Sequence, residues 1–152
     1  MLFEQRCNVS ASRQVVWDLL MDVPQVAQCV PGVKDVERLD GDRYKGNMSV
    51  SVGPIRLSLD GTITLEQQDK EHWQAAMKAQ AAERRVGGGL NATMTMTLQE
   101  PAAGQTELTI STNANLLGRL GEFGQPVIRK KADSMLQEFA RNLQAKLAAG
   151  SH

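Results

Sequence analysis

The chain has 152 residues, of which 41% are hydrophobic and 22% charged, and its 17 basic residues balance 17 acidic ones. This composition indicates one globular domain with a real core, and a formal charge of zero gives no overall field that would attract nucleic acid. Cys7 and Cys29 are too few for a disulfide framework, and no apolar run reaches the roughly 18 residues that a bilayer span needs. The first residues, MLFEQRC, lack the features of a signal peptide, so we expect a cytoplasmic protein.

The first part of the chain predicts a strand followed by two short helices. Residues 2–9 place Phe3, Cys7 and Val9 on one parity, which is typical of a strand. The next stretch, SASRQVVWDLLMD, predicts a helix that Ser10 or Ser12 caps. In DVPQVAQCVPG a proline suits the first turn of a second short helix, and the pair Pro-Gly ends it.

Six segments between residues 33 and 114 predict further strands. Each has one apolar and one polar face, and LNATMTMTL is the clearest alternation. Strands of this kind form antiparallel sheets with one side in contact with water. Short turns separate the segments, which favours a meander.

The last long segment predicts a helix from about 127 to 148, because its apolar residues recur at spacings of three and four. This helix is the only predicted element of the right size to cover the apolar face of the sheet. The predicted fold class is therefore α+β with a helix-grip arrangement. In it a curved seven-stranded antiparallel sheet, with two short helices after strand one, wraps a long C-terminal helix. Residues 1–150 form the single domain, and residues 151–152 are consistent with an expression remnant.

The predicted inner face of the sheet is rich in small and flexible residues. Its small members are Gly46, Gly61, Ala75, Ala79, Ala81, Ala92 and Ala114. Because protein interiors pack to a density of about 0.75, such a lining leaves a void unless the helix approaches closely. Five methionines point inward or toward the sheet: Met48, Met77, Met94, Met96 and Met135. Methionine either fills irregular core gaps or adapts to apolar ligands, and both interpretations stay open.

The stretch GRLGEFGQPVIRKKA, residues 118–132, combines three glycines, a proline and a cluster of cations. Apolar residues keep helical spacing from Leu116 to Ile128, which predicts that the long helix begins near Leu116 and that Pro126 kinks it. We predict a gate or hinge that comprises Gly118, Gly121, Gly124 and Pro126. The cations Arg119, Arg129, Lys130 and Lys131 predict either a solvated face or a contact surface for a partner or an anionic membrane.

Motifs for catalysis are absent from the sequence. It contains no HExxH, GxSxG, phosphate-loop or dinucleotide motif, and His72 has no nucleophile at a telling spacing. The glycine-rich stretch RRVGGGLNA lies between two predicted strands rather than before a helix, so a phosphate site is not expected there. It predicts a flexible hairpin tip, or a mobile lip if a cavity opens beside it. We assign no catalytic residue, metal ligand or covalent cofactor.

Three stretches resemble a known family: VWDLLMDVPQVAQCVPGV (16–33), DRYKGNMSVSVGPIRLSLDGTITL (42–65) and LLGRLGEFGQPVIRKKADSMLQEF (116–139). The family is that of CoxG, an accessory subunit of carbon monoxide dehydrogenase, in the SRPBCC or START/Bet v1-like superfamily. The resemblance covers nearly the whole chain. It implies an apolar cavity, a quinone-type lipid as ligand, and association with a molybdenum-containing CO dehydrogenase at the inner face of the cytoplasmic membrane.

The function that this resemblance implies is a non-catalytic carrier of a quinone or lipid that recruits such a dehydrogenase or a related hydroxylase to the membrane, or links it to the quinone pool. The alternative is a cyclase- or hydrolase-like enzyme of the same fold, which would need inward His, Asp, Glu or Tyr groups. Candidates for head-group contact are Tyr44, Trp73, Arg84 and Arg85. The residues predicted to line the cavity are Met48, Val50, Leu57, Leu59, Trp73, Met77, Met94, Met96, Ile110, Leu117, Leu120, Phe123, Val127, Ile128 and Met135.

Overall fold

The computed structural model describes residues 1–150, and side chains through residue 148. It begins with β1 (Leu2–Val9) and the helices α1 (Arg13–Met21) and α2 (Val23–Ala27). The Ser12 hydroxyl accepts a hydrogen bond from the Val15 N–H at 3.4 Å, so Ser12 is the cap of α1. The strand and both helices are confirmed. The predictions for residues 151–152 lie outside the described residues.

Six more strands complete the sheet: β2 (Val33–Asp40), β3 (Arg43–Val52), β4 (Ile55–Asp69), β5 (Gln74–Glu83), β6 (Gly89–Ala102) and β7 (Gln105–Leu117). Every neighbouring pair is antiparallel, and the order is β1-β7-β6-β5-β4-β3-β2. The predicted seven-stranded antiparallel sheet is therefore confirmed, with strands β2 to β7 as a meander and β1 paired with β7. β4, β6 and β7 extend beyond the segments whose alternation predicted them.

The two edge strands of the sheet differ in what protects them. Helix α3 (Gln125–Gly150) lies along β1, where the Arg129 guanidinium donates to the Leu2 carbonyl at 3.0 Å. The Ser10 N–H, just past β1, donates to the Gln144 side chain at 2.7 Å. At the opposite edge β2 is irregular, with one register shift between Lys34 and Glu37, another between Arg38 and Asp40, and a positive φ of 48° at Asp35.

The strand register places the predicted apolar parity on one face, which is the concave face that α3 covers. One row across the sheet consists of Tyr44, Ile63, Ala79, Ala92 and Ala114, and the next row consists of Gly46, Gly61, Ala81, Leu90 and Leu116. We call these two rows the open middle. Most of their members are only half-buried, although they lie on the covered face. Solvent therefore reaches the centre of this face.

Two packed regions flank the open middle. The larger, which we call the main core, joins α1, one end of strands β1, β5, β6 and β7, and the C-terminal half of α3. Its buried members are Val9, Val16, Trp17, Leu19, Leu20, Cys29, Ala75, Met96, Leu98, Leu108, Ile110, Leu143 and Leu147. The smaller, the rim cluster, has Val52, Leu57 and Leu120 as its buried members, with Val50, Leu59, Val86, Leu116 and Phe123 packed on them.

The prediction that the long helix begins near Leu116 is wrong. Leu116 and Leu117 complete β7, where they pair with Leu90 and Gly89. The chain then turns at Gly118, whose φ is +62°, and residues Gly118–Glu122 form a short 3-10 turn. Pro126 is the second residue of α3, where its missing N–H would have no helical partner anyway, so it does not kink the helix. The apolar residues from 116 to 128 therefore belong to the end of β7, the 3-10 turn and the start of α3, and not to one helix.

Candidate functional site

The open middle lies beneath the N-terminal half of α3. Leu143 of this helix is fully buried in the main core, and Leu136 and Phe139 pack against that core. Toward the helix start, Met135 and Ile128 on the same stripe are only half-buried, and neither is a member of the main core or the rim cluster. The helix therefore closes one end of the concave face, and we call the partly accessible space over its centre the cleft.

The predicted lining residues are distributed over three regions. The main core contains Trp73, Met77, Met94, Met96 and Ile110, and the rim cluster contains Val50, Leu57, Leu59, Leu120 and Phe123. Met48, Ile128 and Met135 are half-buried beside the cleft. Leu117 and Val127 are each 47% exposed. The half-buried members are those that a ligand in the cleft could contact, whereas Leu57, Met96, Ile110 and Leu120 already fill the two packed regions.

Two recesses on the described part of the chain lie outside the open middle. One, of about 470 Å³, is lined by Val15, Asp18, Leu19, Asp22, Gln25, Lys146 and Leu147. The other, of about 250 Å³, lies on the outer face and is lined by Thr62, Thr64, Glu66, Lys78 and Gln80. Neither contains a predicted lining residue. The open middle belongs to neither recess, although its small side chains stay partly accessible to solvent.

Glu83 is a buried carboxylate at the rim that the sequence analysis missed. It is 5% exposed, and it pairs with Leu59 on the concave face. Its Oε1 accepts from the N–H groups of Arg85, Val86 and Gly87 at 2.7, 2.6 and 3.1 Å, and its Oε2 accepts from Ser58 at 2.7 Å. Burial alone would raise the pKa of Glu83, but these four donors outweigh it and hold the pKa below the ordinary value of 4.5.

This carboxylate organises the loop of residues 84–88, which we call the lip. The Glu83 N–H donates to the Gly88 carbonyl, and the Arg84 N–H donates to the Ser58 carbonyl, both at 3.0 Å. The Arg84 side chain forms an ion pair with Asp60. The lip is therefore tied down at several points, in contrast to the flexible hairpin tip that its glycines predicted. No spacing in the sequence signals that a glutamate accepts bonds from the loop that follows it.

Trp73, a candidate for head-group contact, belongs to a different arrangement. It adopts a positive φ of 55° just before β5, and its ring meets Trp17 edge-on with 5.9 Å between centroids. The Arg13 guanidinium stacks over the Trp73 ring at 4.5 Å from its centroid. These contacts hold Trp73 against the main core. Of the other candidates, Tyr44 is half-buried in the open middle, Arg84 is paired with Asp60, and Arg85 is exposed in the lip.

Within residues 1–150, no three His, Cys, Asp or Glu side chains are placed to hold a metal ion together. Burial raises the pKa of the Cys7 thiol, and it also raises that of Cys29 despite the opposing charge of Lys146. Over the same residues, no helix has the length and apolarity needed to cross a bilayer.

Comparison with known proteins identifies the family of the chain and structures that share its fold. The family model for CoxG, a subunit of carbon monoxide dehydrogenase, matches residues 6–148. No curated protein matches the chain in sequence. Among solved structures, a conserved protein from Geobacillus kaustophilus superimposes with a TM-score of 0.90 at 20% identity, covering 100% of this chain and 98% of the other.

Two further structures share the fold at lower similarity. A START superfamily protein from Mycobacterium smegmatis has a TM-score of 0.73 at 11% identity, with 99% of each chain covered. The Zhui aromatase/cyclase from Streptomyces sp. R1128 has a TM-score of 0.70 at 15% identity, with 97% of this chain and 93% of that chain covered. At such identities these likenesses establish the helix-grip fold, and function has to be argued from the site.

Proposed function

The chain belongs to the CoxG family of carbon monoxide dehydrogenase subunits, and on this premise we propose that it binds an apolar ligand, a quinone or another lipid, without catalysing a reaction on it. The observation that carries the proposal is the open middle. Small side chains line the centre of the concave face, and solvent reaches them although packed regions lie on both sides. An apolar surface held open in this way is a typical lining for an apolar ligand.

The ligand's tail would supply most of the affinity. Each isoprenoid unit that leaves water contributes several kcal/mol at roughly 25 cal/mol per Å² of apolar surface. Half-buried Met48 and Met77 border the open middle and can adjust to the shape of a tail. A head group would need one hydrogen-bond partner, and the Tyr44 hydroxyl is our candidate.

Extraction of the purified protein with organic solvent, followed by mass spectrometry, tests this function. We expect a quinone or lipid in stoichiometric amount, or saturable uptake of added menaquinone or ubiquinone by protein that is purified empty. Protein that is empty and takes up neither quinone would refute the proposal. The same titration on the variant Ala79→Leu, which fills the centre of the cleft, should show at least tenfold weaker uptake.

The enzyme alternative is favoured by one observation, the shared fold of the Zhui aromatase/cyclase. Against it stands the chemistry of Glu83, the buried carboxylate on the concave face. Four N–H donors occupy this carboxylate and lower its pKa, which makes it a poor general acid or base. If turnover of an apolar substrate were measured and Tyr44→Phe abolished it, the enzyme hypothesis would replace the carrier hypothesis.

The proposed partner is a molybdenum-containing CO dehydrogenase or related hydroxylase at the inner face of the cytoplasmic membrane. The family's name supports the dehydrogenase, and the cations predicted for this contact lie in two places. Arg119 follows Gly118 in the turn beside the lip, whereas Arg129 is occupied by the Leu2 carbonyl and by the Phe3 ring at 5.8 Å. Lys130 is exposed, and Lys131 is half-buried.

Flotation with anionic vesicles tests the membrane contact separately from ligand binding. Arg119→Glu combined with Lys130→Glu should reduce retention on anionic vesicles at least fivefold, because each substitution replaces an exposed cation with an anion. Lys45→Glu combined with Lys78→Glu, two charge reversals on the outer face of the sheet, is the matched control and should leave retention unchanged. Equal retention of all three proteins would remove these cations from the proposal.

A further inference from the structure

We propose that ligands reach the open middle at the rim, by outward displacement of the segment 118–124, while the lip stays in place because Glu83 holds it. This inference rests on the proposed function, since a route for uptake has meaning only if the cleft takes a ligand. Glu83 is then a positioning residue for the fixed side of the opening. On the moving side of the opening, the buried side chain of Leu120 blocks the route.

The fixed side is defined by hydrogen bonds. Three consecutive N–H groups of the lip, from Arg85 to Gly87, point at one oxygen of Glu83 at 2.6–3.1 Å. The other oxygen accepts from Ser58 in β4, so the carboxylate bridges the lip to the neighbouring strand. Val86 also packs into the rim cluster. Moving the lip would break these three bonds together and leave one oxygen of a buried carboxylate without its donors, which is expensive.

The moving side is attached much more weakly. Among residues 118–124, Leu120 is the one that is buried, at 4% exposure, and Phe123 is half-buried. The other five positions are exposed, and no side chain caps the 3-10 turn. The segment begins at Gly118 in the left-handed region and ends at Gly124, where an added Cβ would meet nothing closer than 3.8 Å. Withdrawal of Leu120 is therefore the main cost of opening.

The two sides meet through a pair of glycines. A Cβ added at Gly118 would lie 2.8 Å from the Gly88 Cα, and one added at Gly88 would overlap the Leu117 carbonyl oxygen. The closed position consequently requires both residues to lack side chains. Gly53 provides a matched control, because its φ of +60° is close to the +62° of Gly118, but its added Cβ would meet nothing within 4 Å.

Hydrogen exchange on ligand-free protein tests which side moves. We expect amides 119–123 to exchange at least tenfold faster than the amides of Arg85, Val86 and Gly87. Gly118→Ala should accelerate exchange in 119–123 at least fivefold further, whereas Gly53→Ala should leave that segment unchanged. Equal exchange on both sides, or an equal response to the two alanine variants, would overturn the inference whatever the protein binds.

The second test measures uptake of N-phenyl-1-naphthylamine, an apolar fluorescent probe, by stopped flow. Leu120→Ala should raise the association rate at least fivefold, and Gly118→Ala should do the same relative to Gly53→Ala. Glu83→Ala should free the lip and change the association rate at least threefold, and Glu83→Gln, which keeps one acceptor oxygen, should restore part of the wild-type value. Unchanged rates in Leu120→Ala and Glu83→Ala would refute the assigned route.

The two tests separate failure of the route from failure of the function. If no variant binds the probe or a quinone, the carrier proposal fails, and hydrogen exchange still decides whether segment 118–124 is the mobile side. If the probe binds with wild-type rates in every variant, the carrier proposal survives and the route at the rim is wrong. Unchanged exchange at Leu108 in the main core confirms that each variant is folded.

Discussion

The main core and the rim cluster share one concave sheet face, but they are built on very different scales. Among the described residues, thirteen side chains are buried in the main core and three in the rim cluster. The main core draws on two helices and four strands, whereas the rim depends on strand ends, a loop and a turn. The difference indicates a division of labour, in which one end supplies stability and the other can move. Four predictions test it.

The largest effect is expected in the main core. Leu143 of α3 is completely buried, so Leu143→Ala should cost about 2–5 kcal/mol of unfolding free energy through lost burial and a residual cavity. Leu120→Ala at the rim should lie at or below the low end of that range, because loose neighbours can collapse into the space. Urea denaturation of both variants checks this, and a larger loss for Leu120→Ala would reverse the comparison.

Two alanines of β5 provide a matched pair for packing. Ala75 is 2% exposed in the main core, and Ala79 is half-buried in the open middle on the same face of the strand. Ala75→Leu should overpack the core and cost about 1–3 kcal/mol, whereas Ala79→Leu should change stability by less than about 1 kcal/mol. Thermal unfolding distinguishes them. A large loss for Ala79→Leu would show that the centre of the cleft is already filled.

The charge of Glu83 makes the free energy of unfolding depend on pH. Because its folded-state pKa is lowered, the carboxylate contributes stability above pH 4.5, and this contribution is lost as the pH falls through the folded value. Glu83→Gln should therefore cost about 1–2 kcal/mol at pH 7, and the difference from wild type should shrink below pH 4.5. Urea unfolding at pH 7, 5 and 3.5 measures it. A constant difference over this range would contradict the assignment.

The smallest effect on stability is expected from the ion pair that links the lip to β4. Arg84 and Asp60 form an ion pair with side chains that are 64% and 43% exposed. Such surface pairs contribute little, so Arg84→Ala should cost less than about 1 kcal/mol and should be insensitive to pH between 5 and 8. If hydrogen exchange of the lip rose as much in Arg84→Ala as in Glu83→Gln, the lip would depend on the ion pair instead of the buried carboxylate.

Alternation and spacing in the sequence were sufficient to predict most of the fold. Period-two patterns such as Leu90 to Leu98 predicted which strand face is covered, since the side-chain period of a strand allows no other assignment. Small residues at Gly46, Gly61 and Ala79 predicted a loosely filled centre, and all three positions are half-buried in the structure. Whether a quinone occupies it stays a prediction.

The rim was harder to predict because its structure depends on backbone geometry. The spacing from Leu116 to Ile128 fits a helix, but pairing of Leu117 with Gly89 and the left-handed turn at Gly118 prevent one. The four N–H bonds to Glu83 join residues from two strands and a loop, and no local pattern encodes such a convergence. Long-range hydrogen bonds of this kind become visible only once the fold is known.

The edges of the sheet have a consequence for solubility during opening. An unpaired strand edge is a template for aggregation, and natural sheets blunt such edges with cover, charge or irregularity. Here α3 covers β1, while β2 combines register shifts at Glu37 with charged side chains. A rim that opens therefore exposes a few apolar side chains while both outer strands keep their protection. The protein can uncover its cleft repeatedly without offering neighbouring molecules a strand to extend.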